Sequence, residues 1–143
     1  MLNLDTEEWG SLYIGCAGGI DYELTGQFEL VPVEAGLIPI KINVSGFVGG
    51  HSGIDIHRQR GNGIKLLADV LFEFKQRCNF ELGDILGGKS HNIIPRDAWA
   101  LIYIKEEHIT DLDYVVSEIE EKWKSFLPKS DQLFAVELLK EEA

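Results

Sequence analysis

From Ile38 to Ser45 the chain alternates. Ile38, Ile40, Ile42 and Val44 are apolar, and Lys41, Asn43 and Ser45 between them are polar. A period of two puts the four apolar side chains on one side of an extended chain, which predicts a strand with one buried face. The same reading predicts strands at 11–16 and 21–31, the second carrying Tyr22, Leu24, Phe28, Leu30 and Val31. Gly18-Gly19 between them suits a hairpin-type turn, because glycine tolerates positive φ. Asn79 to Leu86 and Trp99 to Ile104 form a further extended pair, linked by the loop Gly87-Gly-Lys-Ser-His-Asn-Ile-Ile-Pro95.

Two segments carry the helical period instead. Asn62 to Gln76 places Ile64, Leu67, Ala68, Leu71 and Phe72 on one stripe. Thr110 to Phe126 places Leu112, Val115, Val116, Ile119, Trp123 and Phe126 at i, i+3, i+4, i+7 spacing. Thr110 is the predicted N-cap, Asp111 and Asp113 fall in the first turn, and Lys122 and Lys124 come near the end. That charge order complements the helix dipole. Pro128 helps to stop the helix. Leu133 to Leu139 fits either a last strand or a short helix. The order is strands, helix, two strands, helix, then a candidate strand. It predicts an α+β fold, a ferredoxin-like two-layer sandwich whose antiparallel sheet carries two long helices on one face.

Charge narrows the function. With 24 Asp and Glu against 13 Lys and Arg, the 143-residue chain has a formal charge of −11. That lacks the electrostatic footprint for gripping phosphate backbones or an anionic bilayer, so neither nucleic acid nor membrane is an expected partner. No run approaches the roughly 18–20 apolar residues of a transmembrane helix. The acidic start has no basic n-region and does not read as a signal peptide. Cys16 and Cys78 lack metal-type spacing and read as small, buried, reduced core residues. A cytoplasmic location fits these features. The length suits one domain.

The densest chemistry lies in Gly46-Phe-Val-Gly-Gly-His51-Ser-Gly-Ile-Asp55-Ile-His57, directly after the best strand and before the first helix. Glycines on both sides of His51 let the backbone turn sharply and leave the imidazole uncovered. A histidine so placed can donate to an oxyanion or act as a ligand. It can equally be a solvent-facing histidine in a glycine-rich connection, and chemistry alone leaves both readings open. His51, Asp55 and His57 do not follow a recognised zinc spacing. Gly87-Gly-Lys-Ser90 lacks the upstream glycine of a phosphate-binding loop and leads into a loop. Asp5, in Asn3-Leu-Asp-Thr-Glu-Glu8, reads on its own as a surface carboxylate. No serine sits on a strained elbow with a base partner, so no nucleophilic triad is visible.

Asn3-Leu-Asp5-Thr-Glu-Glu8 and Tyr13-Ile-Gly-Cys-Ala-Gly-Gly-Ile-Asp21 occur in order with three further segments. These are Val44-Ser-Gly-Phe-Val-Gly-Gly-His-Ser-Gly53, Gly61-Asn-Gly-Ile-Lys-Leu-Leu67 and Asn92-Ile-Ile-Pro-Arg-Asp-Ala98. Over about residues 2–105 this resembles the aminoacyl-histidine (Xaa-His) dipeptidases, the cytosolic non-specific dipeptidase family of di-zinc metallopeptidases. The resemblance implies a catalytic domain that binds two zinc ions and an inserted α+β lid that often carries dimer contacts. Residues 1–143 match a single lid/dimerisation-type domain. Within it, residues 1–10 match the segment leaving the catalytic domain, and residues 106–143 are a helix and tail that match only in character.

Carried over position by position, Asp5 corresponds to a zinc carboxylate ligand. His51 corresponds to the lid histidine that reaches substrate or oxyanion, and Asn92 to a substrate contact. Asp55 departs from the family pattern. The resemblance also implies that the chain is a piece of a longer lid and enzyme. The expected partners are the catalytic domain of the same enzyme, a second copy in a homodimer and, in the full-length enzyme, a dipeptide. Most metal ligands lie outside the matched segments, so the isolated chain is expected to be inactive and to hold no zinc tightly. The alternative is a free-standing α+β interaction module without catalysis.

Overall fold

Strand β1 (Ile38–Ser45) lies at the heart of the fold, where the alternation places it. After it come a two-residue β2 (Gly50–His51), helix α1 (Gly63–Arg77), β3 (Glu81–Gly87), a two-residue β4 (Ile93–Ile94) and β5 (Ala98–Ile104). Helix α2 (Ile109–Phe126) and β6 (Ala135–Lys140) complete the order. This computed structural model describes residues 9–15 and 18–141. The chain divides into two units, one ending at Val31 and one beginning at Pro32.

In the second unit β3, β5, β1 and β6 form one sheet in that order, and every neighbouring pair is antiparallel. The β–α–β–β–α–β order with β1 central is the expected ferredoxin-like arrangement. Ile40 pairs with Ile102, Ile42 with Ala100 and Val44 with Ala98, so the apolar sides of β1 and β5 fall on one face. On the other side of β1, Ile42 pairs with Leu138 and Val44 with Val136. The ambiguous segment after Pro128 is therefore a strand, because the free edge of β1 offers it a ladder. Between β3 and β5 the register shifts at Leu82/Asp84, leaving Gly83 as an extra residue.

Both helices pack on the face that carries Ile40, Ile42, Val44, Ala100 and Ile102, and on each other. Helix α2 buries Leu112, Val115, Val116, Ile119 and Trp123 as its period requires, while Phe126 stays exposed. Its start differs from the expectation. A 3-10 turn at Glu106–His108 leads into Ile109, and Thr110 lies inside the helix rather than capping it. Gln132 Nε2 donates to the carbonyls of Lys124 (3.0 Å) and Leu127 (2.9 Å), which closes the other end.

Helix α1 begins where expected, with Asn62 Oδ1 accepting from the Lys65 N–H at 3.1 Å. Its buried stripe is Leu66, Leu67, Val70 and Phe74; Ile64 and Phe72 from the predicted stripe are exposed. The helix carries two overlapping apolar stripes, and contact with the sheet and α2 selects the one that ends on Phe74. Each fully buried side chain of this kind contributes about 1.5–3 kcal/mol.

The expected strands at 11–16 and 21–31 are not formed among the described residues. Residues 18–31 have no regular structure, and Tyr22, Leu24, Phe28, Leu30 and Val31 are exposed. A strand needs a neighbour to satisfy its N–H and C=O groups. No described residue before Ile38 enters a ladder. Composition alone could not supply that neighbour. No helix among the described residues is long and apolar enough to cross a membrane.

Candidate functional site

The connection from β1 to α1 begins at Gly46, in the left-handed region at φ +92°. Phe47 then turns inward, fully buried, with its ring stacked 4.7 Å from that of Phe134. The carboxylate of Asp131, which is completely buried, holds this connection at two places. Its Oδ1 accepts from the Val48 N–H at 2.6 Å and its Oδ2 from the Gly61 N–H at 3.1 Å. Arg96 Nε donates to the Phe47 carbonyl at 3.0 Å. Two N–H groups that the loop cannot satisfy internally thus find one buried acceptor pair.

Gly49 and Gly50 follow at φ +67° and +148°. A Cβ on Gly49 would run into the Arg96 side chain, and one on Gly50 into Arg60 and Asp55. Only glycine fits both the backbone angle and the space.

From there β2 pairs with β4, Gly50 opposite Ile94 and His51 opposite Ile93. One residue further, the Ser52 N–H donates to the Asn92 carbonyl at 2.9 Å. The ribbon therefore brings His51 and Asn92, two of the residues singled out from sequence, side by side. Asp5 lies outside the described residues.

His51 is exposed but held. Its Nδ1 accepts from the Gly53 N–H at 3.0 Å and the Ile54 N–H at 3.2 Å. A ring nitrogen that accepts bears no proton, so in the neutral imidazole the proton sits on Nε2. The ring thus presents an N–H donor outward. The Asn92 Oδ1 accepts from Ser90 Oγ at 2.7 Å, which orients the amide.

Asp55 locks the turn from below. Its Oδ2 accepts from the His51 N–H at 3.0 Å, while Oδ1 faces Arg58 Nε at 3.3 Å and Arg60 Nη2 at 3.4 Å. Arg60 also donates to the Gly49 carbonyl. The His51 N–H above all holds the Asp55 carboxyl below its usual range. Burial opposes the shift, and Arg60, Arg58 and His57 add to it. A lowered folded value means the carboxylate's support is present above the ordinary value of about 3.9 and is lost only as pH falls through the lower, folded one. Carbon-13 titration of the Asp55 carboxyl should therefore show a midpoint below about 3.9. A midpoint at or above that value would contradict the arrangement.

Beside the ribbon opens a cavity of about 980 Å³. Its lining includes Ser52, Arg60, Lys65, Lys89 and His91, with no Asp or Glu. In a chain of charge −11 this is a locally cationic hollow. It was not expected from sequence, since its lysines lie 24 positions apart and only the fold brings them together. Asp131 was missed as well. In sequence it is one acid among many in the acidic C-terminal stretch.

A di-zinc centre does not fit the donors around His51. Such a centre needs three or four ligands per ion. Here both Asp55 oxygens are committed to His51 and the arginines, and Nδ1 of His51 is occupied. Of these donor atoms only Nε2 is left. Among the described residues the one grouping of three metal-type side chains is Cys78, His108 and Asp111, at the junction of the helices. Cys78 is buried and free, as expected.

The chain matches the family described as Peptidase dimerisation domain over residues 42–131. It is 36% identical over 136 residues to the cytosol non-specific dipeptidase of Escherichia coli (strain K12), covering 95% of this chain and 28% of that protein. In structure it resembles the aminoacylhistidine dipeptidase of Vibrio alginolyticus, with a TM-score of 0.69 and 31% identity over 78% of this chain and 23% of that one. An aminobenzoyl-glutamate utilization protein from Klebsiella pneumoniae shares the fold at a TM-score of 0.53 and 14% identity, over 73% and 27% of the two chains. The chain thus spans about a quarter of the length of these relatives.

Proposed function

We propose, since this chain belongs to the peptidase dimerisation domain family, that it is the lid and dimerisation domain of a zinc-dependent Xaa-His dipeptidase. Hydrolysis is then a property of the full-length enzyme, in which a catalytic domain supplies the metal centre. The observation that carries this reading is the tethered imidazole of His51, which offers Nε2–H outward from a loop locked by Asp55 and Asp131.

A donor fixed before the reaction is suited to the charge that develops on the scissile carbonyl oxygen in the tetrahedral state. His51 binds and stabilises that oxygen, and its Nδ1, held by two N–H groups, keeps the required tautomer. Asn92, next to it on the ribbon, contacts the peptide, and the cationic hollow lined by Lys65 and Lys89 takes the peptide's free carboxylate. Asp5 would be one of the ligands that hold zinc elsewhere in the enzyme, and the ion would supply Lewis-acid activation of water and carbonyl. The partners are the catalytic domain and a second copy of the same chain.

Two measurements on the purified 143-residue chain test this. Incubated with zinc and a Xaa-His dipeptide it should release no histidine, because the described residues around His51 supply no ligand set for a zinc ion beside the bound peptide. Zinc-dependent hydrolysis by this chain alone would overturn the assignment. Light scattering behind size exclusion should give the mass of a dimer, and a monomer at high concentration would count against a dimerisation role.

A further inference from the structure

Where α1 ends and α2 begins, three side chains of metal-binding type meet. Cys78 Sγ lies 3.3 Å from His108 Nδ1 and 3.5 Å from Asp111 Oδ2, and the last two are 3.2 Å apart. A tetrahedral zinc ion, with bonds of about 2.3 Å to sulfur and about 2.0–2.1 Å to nitrogen and oxygen, spaces its ligand atoms about 3.3–3.6 Å apart. The triangle already has nearly those edges. We infer that Cys78, His108 and Asp111 form a site for a zinc-class divalent cation, with three protein ligands and one exchangeable position.

Each side chain is placed by the fold. Cys78 is the C-cap residue of α1 and is buried, so its backbone and rotamer are fixed by the core. His108 closes the 3-10 turn ahead of α2, and Asp111 stands in the first turn of that helix. The other ring nitrogen, Nε2, lies 3.9 Å from the Glu107 carboxylate, beyond direct hydrogen-bond reach. A hollow of about 410 Å³, lined by Arg77, Asn79 and Lys105 as well as Cys78 and His108, gives an entry path and room for a water as fourth ligand.

Without a cation the triangle is a hydrogen-bonded set built on a neutral thiol. Burial, and then Asp111, push the Cys78 thiol up. Binding replaces that proton. The Sγ–H bond breaks and its proton passes to solvent, and the Nδ1 proton that faces Asp111 in the free protein is lost to solvent as Nε2 takes one up. The thiolate, the freed Nδ1 lone pair and the Asp111 carboxylate bind the metal, for a net release of one proton. The thiolate–imidazole–carboxylate set suits zinc better than calcium or magnesium, which prefer oxygen alone. The bound ion would tie the end of α1 to the start of α2. The donors that define it share no residue with the His51 loop, so this inference stands independently of the dipeptidase reading.

Cobalt(II) is the probe. Added to the reduced 143-residue chain, it should produce a near-ultraviolet thiolate-to-cobalt charge-transfer band and the strong visible bands of tetrahedral coordination. Zinc should then displace it. Cys78→Ala should abolish the charge-transfer band, and Cys16→Ala should leave it intact. His108→Gln, at a partly exposed position outside the core cluster, should weaken the apparent affinity by more than the ~10–100-fold that loss of an outer partner alone costs, since a ligand itself is removed. Circular dichroism establishes that each variant is folded, and His108→Gln carries the test if Cys78→Ala is not. Absence of the band in the parent overturns the inference. So does a band that follows Cys16, or one unchanged in His108→Gln.

Discussion

His51→Ala in the full-length enzyme carrying this domain should lower kcat by about 10²–10³-fold, the usual effect of removing one oxyanion donor. KM should change little, because the bond from Nε2–H forms fully only when charge has developed on the oxygen. The fold should survive. Removing the imidazole leaves only the Gly53 and Ile54 N–H groups without their acceptor, and these are exposed and can turn to water. The melting temperature should therefore stay close to that of the parent. His51→Asn sharpens the test, since a short amide can still accept from the N–H two residues on and preserve the turn. It lacks the donor at the position of Nε2, so its kcat should fall as in His51→Ala. A variant that loses stability but keeps kcat would reduce His51 to a turn-forming residue.

The largest effect on stability is expected at Asp131. Its two oxygens are the acceptors for the N–H groups of Val48 and Gly61, from a side chain with no exposed surface. Asp131→Ala leaves both donors without a partner beside the Phe47–Phe134 stack, each at about 1–3 kcal/mol. The summed loss is about 2–6 kcal/mol, which at mid-range lowers the melting temperature by ~10 °C in a domain of this size. Asp131→Asn keeps one carbonyl acceptor and should fall between the two. Because Asp131 holds the ends of the loop that carries His51, the full-length Asp131→Asn enzyme should also lose activity at temperatures where it remains folded. Chemical denaturation placing Asp131→Ala within about 0.5 kcal/mol of the parent would show that the carboxylate does not hold the loop.

Much of this protein is legible along the chain. Strict alternation from Ile38 to Val44 fixes a strand and its buried face, since the strand period leaves no other face for the isoleucines. The 3.6 period of α2 identifies its buried residues with the exception of Phe126. The glycine cluster around His51 marks a loop that must turn sharply, and its motif is one of those that carry the family resemblance.

Other features depend on partners distant in sequence. Whether 21–31 or 133–139 becomes a strand is decided by which segment finds a free edge, and only the second pairs with β1. The stripe that α1 buries is set by the sheet and α2, not by its own period. His51 and Asn92, 41 positions apart, meet because β2 and β4 pair, and Asp131 reaches back 70 residues to Gly61. Cys78 meets His108 and Asp111 only where two helix ends converge. Local sequence determined which elements form and which faces are apolar, because dihedral preference and side-chain period are local. The placement of the imidazole, its tautomer and the three-residue metal-type cluster arose only from tertiary structure, because hydrogen bonds and ligand geometry depend on distance in space.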